Sequence, residues 1–295
     1  MDDARIDVPQ IATPAGPTQE AAAARLLRRL DAVARSLEAA GALAVLGAGS
    51  VGRETDRIDA WSDLDFFAVV RPGEKQRFID SLDWLAAAHP IVWAFRNTDD
   101  GFKALMADGI LCEFGVVEPA DLTRIPYAPA RVVWSAPGVD VAFADPVVPL
   151  PPRYDHGVEW LVGELLSNLF VALGRWHRGE RVAAMRMAQV FAVDRMIELL
   201  DRLEPVDPAG PAPAIHVDPF VPERRVERRH PRWADRLSAS APGVAHVREG
   251  AVALLDALHD LLADSAGELV PVAVDRWIRA LASAAPGEVV AFPEG

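Results

Sequence analysis

The sequence is short of cysteine and of long apolar runs. Its 295 residues include a single cysteine, Cys112, so an intramolecular disulfide cannot form and a metal site built from cysteines is excluded. No uncharged apolar run of about 18 residues occurs, which predicts that the chain has no transmembrane helix. The N-terminal segment lacks an apolar stretch of signal-peptide length, so we expect a cytoplasmic protein.

Positive charge is also scarce. Thirty lysines and arginines stand against 43 aspartates and glutamates, a net charge of −13, and only Lys75 and Lys103 are lysines. This balance disfavours a nucleic acid polymer as partner, although a local basic patch could still hold one triphosphate. The arginine run in "PERRVERRHPR" alternates with Glu223 and Glu227, so we predict an exposed helix whose charges pair with one another.

The pattern of apolar residues changes halfway along the chain. Residues 1–16 are predicted to be a flexible acidic leader. They precede an α/β region, residues 17–150, in which we predict helices over 17–40 and 74–89. Strands are predicted at "ALAVLG", "DLDFFAVV", "PIVWAFR", "ILCEFGVV" and "ARVVWS". Beyond a proline-rich boundary, residues 151–295 show long helical periodicity and are predicted to be all-α. With 51% apolar residues, the chain can bury the cores of two domains.

The segment "GAGSVG", residues 47–52, matches two familiar motifs, and both matches fail on context. The dinucleotide fingerprint G-x-G-x-x-G must open a helix, but the following "RETDRIDAWS" is too polar and too short to cross back over a sheet. A hydrolase elbow with Ser50 as nucleophile needs the same helix, and Ala48 replaces its first glycine. We expect Gly47 only to end a strand.

Carboxylates give a third interpretation of this region. Asp63 and Asp65 open a predicted strand two residues apart, so they share one face while Leu64 points into the core. Two adjacent carboxylates repel each other, and a bound divalent cation commonly neutralises that repulsion. Glu113 interrupts an otherwise apolar strand, where an acid is costly unless it has a function.

The segment "GAGSVGRETDRIDAWSDLDFFAVV" resembles the signature of the nucleotidyltransferases of the DNA polymerase β superfamily. The resemblance implies that Gly49 and Ser50 bind the triphosphate, and that Asp63, Asp65 and Glu113 are catalytic metal ligands, holding two Mg²⁺ ions. It also implies an α+β fold: an N-terminal nucleotidyltransferase domain, a mixed β-sheet with helices, followed by a C-terminal all-α helical bundle over 151–295 that binds the acceptor.

The layout is similar to the small-molecule nucleotidyltransferases that modify aminoglycoside or lincosamide antibiotics. The leading hypothesis is therefore a Mg²⁺-dependent antibiotic-resistance enzyme that transfers AMP from ATP, or another nucleoside monophosphate, to a hydroxyl of a small molecule. Two alternatives stay open: a nucleotidyltransferase that modifies a protein or RNA, as in toxin-antitoxin systems, and a catalytically silent nucleotide-binding regulatory module. The sequence leaves the acceptor, the base preference and the oligomeric state undetermined.

On the predicted helix 157–178, Glu164, Asn168 and Arg175 share a flank that could line an acceptor cleft. For each of them, a solvated helix surface with contacts between successive turns is the favoured interpretation.

Overall fold

The computed structural model describes residues 19–150, 156–204, 217–218, 220–263, 269–286, 288 and 290. The predicted leader, residues 1–16, lies outside the described residues. The chain separates into two compact units, Met1–Pro151 and Pro152–Gly295. No described helix is long and apolar enough to cross a membrane. The assignment of nucleotide chemistry to residues 17–150 and of acceptor binding to 151–295 stays a prediction.

The first unit is built on a six-stranded mixed sheet. Its strands are Ala44–Gly47 (β1), Leu64–Val69 (β2), Ile91–Arg96 (β3), Gly101–Met106 (β4), Leu111–Val117 (β5) and Arg131–Ser135 (β6). They lie in the order β3-β4-β5-β2-β1-β6. The pair β2 and β5 is parallel and the other neighbouring pairs are antiparallel. With the helices described next, this confirms an α+β unit with a mixed sheet.

One face of the sheet is packed against helices. Because side chains alternate along a strand, the apolar positions of β2, β4 and β5 fall on the same face, where Phe114 stacks between Phe66 and Phe102 at ring centroid distances of 5.0 and 5.6 Å. The helix Gln19–Ala39 (α1) and two shorter helices, Lys75–Asp80 (α2) and Asp83–Ala88 (α3), complete this core.

Two details of the predicted elements were wrong. The single helix predicted over 74–89 is broken into α2 and α3 at Ser81, whose backbone is extended and whose Oγ accepts a hydrogen bond from the Asp83 amide at 3.2 Å. Serine competes with helical hydrogen bonds in this way and favours helix starts. The strand β4 was missed altogether, although Phe102, Ala104 and Met106 alternate with less buried residues along it.

A smaller core lies on the opposite face of the sheet, around Phe67 and Tyr127, whose rings meet edge to face at 5.6 Å. The short helix Pro119–Leu122 (α4) contributes Leu122 to it. Asp65 shares this face with Phe67 and lies nearer the start of β2. The face is thus apolar toward the end of β2 and carries a carboxylate near its beginning.

The described elements of the second unit are helices. They are Val158–His177 (α5), Arg181–Arg186 (α6), Ala192–Leu203 (α7), Val226–Arg229 (α8), Ala234–Ser240 (α9), Val247–Ala263 (α10) and Val272–Ser283 (α11), with a π-helical turn, Met187–Phe191, joining α6 to α7. Leucines of α5, α7 and α10 form the fully buried centre of the unit. The guanidinium groups of Arg181 and Arg248 both lie over the ring of Trp176, 3.9 and 4.3 Å from its centroid.

The prediction of a self-paired, exposed arginine helix was wrong at its centre. Arg229 is only 4% exposed, and its Nε donates to an Asp201 carboxylate oxygen at 3.2 Å. His230 Nε2 lies 2.8 Å from the same oxygen. A buried guanidinium needs a partner within the core, and Asp201 on α7 supplies it, so this part of the run stabilises the second unit.

Candidate metal and nucleotide site

Three carboxylates meet near the N-terminal ends of the two central parallel strands, β2 and β5. Asp63 immediately precedes β2, Asp65 lies within β2, and Glu113 lies within the parallel neighbour β5, directly opposite Asp65. Each offers an oxygen, and these oxygens lie within 4.8 Å of one another. The three residues are half-buried, so their carboxylates can be approached from solvent. The structure therefore brings together the three predicted metal ligands.

The turn after β1 contacts this cluster through its backbone. Gly49 has φ +54°, in the left-handed region that favours glycine, and a Cβ at this position would lie 2.1 Å from Asp65 Oδ2. The neighbouring Ala48 amide donates to the Asp65 carbonyl at 2.9 Å. Glycine is thus required both by the backbone conformation and by the close approach of a carboxylate, and the exposed backbone of Gly49 lies beside the acids.

Ser50 is next to Gly49, but its hydroxyl is turned inward. Its Oγ is buried and has no hydrogen-bond partner among the described residues. An unpaired buried hydroxyl costs about 1–3 kcal/mol. In this conformation the hydroxyl is not available to a phosphate that approaches from solvent. Its predicted role in binding triphosphate stays a prediction.

The turn is held rigidly from the β6 side of the sheet. Arg131 Nε donates to the carbonyls of Val51 and Gly52, each at 3.1 Å. Gly47 was expected only to end a strand. The structure gives it a further role, because a Cβ at this position would lie 2.5 Å from the Val51 carbonyl oxygen. The backbone of the turn is therefore fixed before any ligand binds.

The segment between Gly52 and β2 decides between the interpretations of "GAGSVG". In it the structure has a short 3₁₀ turn, Thr55–Arg57, and irregular backbone, and the described residues contain no α-helix between β1 and β2. A dinucleotide site and a hydrolase elbow both need that helix. Both interpretations are excluded, as predicted.

Lys103 is a charged neighbour that the sequence did not reveal. It lies on β4 opposite Glu113, and its Nζ is 2.8 Å from Glu113 Oε2. The hydrogen bond that Lys103 donates to Glu113, and the negative charges of Glu113, Asp63 and Asp65, raise the pKa of the Lys103 ammonium. The ammonium therefore offsets part of the repulsion within the acid cluster. It was missed because β4 was missed.

Cys112, beside Glu113 in sequence, points to the opposite face. The thiol is fully buried in the apolar core, and burial raises its pKa to about 12. A protonated, inaccessible thiol is neither a nucleophile nor a metal ligand. The site is therefore composed of hard oxygen donors.

The three polar residues of α5 show local contacts. Asn168 Nδ2 donates to the Glu164 carbonyl at 2.7 Å, and Arg175 pairs with Glu180 at 3.2 Å. These bonds join positions four and five residues apart, which is the pattern of the favoured solvated helix surface.

Comparisons with known proteins found few similarities. No protein-family model matches the chain, and no curated protein matches it. Among solved structures, an aminoglycoside 6-adenyltransferase from Bacillus subtilis superposes over 88% of this chain and 99% of its own, with 10% sequence identity and a TM-score of 0.31. A CD-NTase, CdnG from Bradyrhizobium diazoefficiens in complex with GTP, covers 84% of this chain and 99% of its own, with 14% identity and a TM-score of 0.23. TM-scores this low do not establish a common fold, so the function has to be inferred from the site itself.

Proposed function

We propose that this protein is a Mg²⁺-dependent nucleotidyltransferase that transfers a nucleoside monophosphate, AMP from ATP in the simplest case, to a hydroxyl of a small molecule. The observation that supports this most is the convergence of Asp63, Asp65 and Glu113 beside the glycine turn, with their oxygens within 4.8 Å of one another. An aminoglycoside or lincosamide is the first acceptor class to examine.

The donor set fits magnesium. Mg²⁺ prefers oxygen ligands at about 2.0–2.1 Å, so two oxygens on opposite sides of one ion lie about 4.2 Å apart. The ligand oxygens of the cluster lie within 4.8 Å of one another, so only small side-chain rotations would be needed to bring them onto one ion. The half-exposed position of the acids also leaves room for phosphate oxygens and water, which Mg²⁺ retains in most enzyme sites.

In the proposed reaction the acceptor hydroxyl oxygen bonds to the α-phosphorus as the bond from that phosphorus to the pyrophosphate oxygen breaks. Asp63 and Asp65 would hold Mg²⁺, which when bound would neutralise charge on the triphosphate and on the leaving pyrophosphate. The Gly49 backbone orients the β- and γ-phosphates, and the Ser50 hydroxyl would assist only after turning outward from its buried position. A Glu113 carboxylate oxygen accepts the proton of the acceptor hydroxyl.

The test uses the full chain with Mg²⁺, ATP labelled at the α-phosphate, a panel of aminoglycosides, lincosamides, nucleosides and glycerol, and separate reactions with total RNA and with a cell protein extract. We expect label transfer and equimolar pyrophosphate release with at least one acceptor. Asp65→Asn removes a metal-binding charge and should reduce the rate on the order of 1,000-fold. Asp99→Asn removes an exposed acid from the loop joining β3 and β4 and should leave the rate unchanged.

Other outcomes identify the alternatives. Binding of ATP with no pyrophosphate release across the panel would favour the silent regulatory module. Label found on protein or RNA but on no small molecule would move the acceptor to the macromolecular class. A rate that is equal in the unchanged protein and in Asp65→Asn would contradict the proposed chemistry.

A further inference from the structure

The edge strand β3 exposes two large aromatic side chains. Trp93 is 52% exposed and Phe95 is 43% exposed, and their ring centroids are 5.0 Å apart with the ring planes tilted by 39°. They are two residues apart on one strand, so they lie on the same face of the sheet. Edge strands normally carry charged residues that discourage unwanted contacts. An aromatic pair on this edge departs from that pattern.

The register of the sheet connects this pair to the acid cluster. Phe95 lies opposite Lys103, Lys103 opposite Glu113, and Glu113 opposite Asp65. Paired residues of adjacent strands point to the same face, so these four side chains form a row across the sheet. Neighbouring strands are about 4.8 Å apart, which places Phe95 about 10 Å from Glu113.

The glycine turn and the aromatic pair lie on opposite sides of Asp65, so the two substrates would bind on opposite sides of it. The Gly49 turn follows β1, which lies on one side of β2, whereas β5, β4 and β3 lie on the other side. A triphosphate on that turn occupies the β1 side of Asp65. The hydroxyl that attacks the α-phosphorus would then approach beside Glu113, which leaves the surface over β4 and the aromatic pair for the rest of the acceptor.

We infer that Trp93 and Phe95 form a stacking platform for the acceptor, and that the acceptor is a small molecule with a flat ring about 10 Å from its reactive hydroxyl. The ring is aromatic or a sugar-type ring with an apolar face, and both stack on aromatic side chains in the same way. This inference rests on the proposed function and specifies its acceptor. Lys103, between the platform and Glu113, lies beneath the connecting part of that molecule.

The size of the effect is measurable. Stacking of one flat ring on an aromatic side chain contributes a factor of about 5 to 150 in binding. Removal of Trp93 or Phe95 should therefore raise KM for a ring-bearing acceptor about 10- to 100-fold and leave kcat within about threefold, because neither residue touches the reacting atoms.

The experiment compares acceptors with and without a ring. Trp93→Ala, Phe95→Ala and the milder Phe95→Leu are assayed with the ring-bearing panel compound that the unchanged protein modifies best, and with glycerol at high concentration. We expect kcat/KM for the ring compound to fall at least 10-fold more than that for glycerol. The matched control is Arg96→Ala, at the next position of β3 and on the opposite face. It should not change the ratio. Thermal melting confirms that each variant is folded.

Several results would overturn the platform while leaving the proposed function intact. These are equal losses for the ring compound and glycerol, the same change in Arg96→Ala, or transfer only to ring-free or macromolecular acceptors. Loss of a dimer in Trp93→Ala on size-exclusion chromatography, with unchanged kinetics, would show that the pair serves contact between copies of the chain. Absence of pyrophosphate release from the unchanged protein would instead refute the proposed function.

Discussion

Replacement of Gly49 by alanine separates backbone strain from damage to the metal site. An alanine Cβ would lie 2.1 Å from Asp65 Oδ2, and the φ of +54° is unfavourable for any side chain. Strain in the left-handed region costs about 1–2 kcal/mol. The clash adds little to that loss of stability, because the far end of the Asp65 side chain can rotate away. The rotation does, however, move a predicted metal ligand.

The matched control is Gly138→Ala. Gly138 has φ +78° with no atom within 4 Å of an added Cβ, so it carries the same kind of strain without the clash. We expect both variants to lose about 1–2 kcal/mol of unfolding free energy in urea titrations. Mn²⁺ affinity, measured by calorimetry, should fall about 10- to 100-fold in Gly49→Ala alone, as it does when support of a ligand is lost.

Equal Mn²⁺ affinity in Gly49→Ala and Gly138→Ala would refute the role of Gly49 in placing Asp65. A much larger stability loss in Gly49→Ala would show instead that Asp65 cannot rotate and that the turn itself deforms. Failure of the unchanged protein to bind Mn²⁺ would remove the metal site altogether.

Three further predictions concern the first unit. Burial raises the pKa of Asp108, but the hydrogen bond and charge of Arg29 outweigh it, so the pKa is lowered on balance. The Arg29–Asp108 interaction stabilises the folded state by about 1–2 kcal/mol. This contribution is present above the unfolded pKa of about 4 and is lost as the pH falls through the folded pKa. The urea midpoints of Asp108→Asn and of the unchanged protein should therefore differ at pH 7 and converge in acid. Because burial raises the Cys112 pKa to about 12, a thiol reagent at pH 8 should modify the unfolded chain and spare the folded one. Phe114→Ala should cost about 3–5 kcal/mol in urea unfolding, whereas Phe95→Ala, at an exposed position, should cost under about 1 kcal/mol; equal costs would contradict the assignment of the two faces.

Local patterns predicted the acids well. Alternation along one strand was enough to place Asp63 and Asp65 together and Leu64 in the core, where it is fully buried. The apolar residues around Glu113 showed that this acid was unusual. The close contact between Gly49 and Asp65 could not be predicted from such a pattern, because it depends on the path of the turn between β1 and β2.

Contacts between distant segments could not be predicted. Lys103 became visible only through the pairing of β4 with β5, a register that no short pattern specifies. Arg229 was predicted to be exposed because its neighbours are charged, yet its partner Asp201 lies 28 residues earlier on another helix. In both cases the deciding interaction joins residues that the sequence separates.

The strands β3 and β4 form one antiparallel hairpin at the border of the sheet, and only β4 bonds to the rest of it. The turn after β1 and the three acids lie on the interior strands or directly beside them. The two strands differ in what depends on them: β3 pairs with β4 alone and is mostly exposed, whereas β4 also pairs with β5 and buries Phe102, Ala104 and Met106 in the core. The side chains of β3, residues 91–96, can therefore change by design or by evolution while β4 and the carboxylates keep their places.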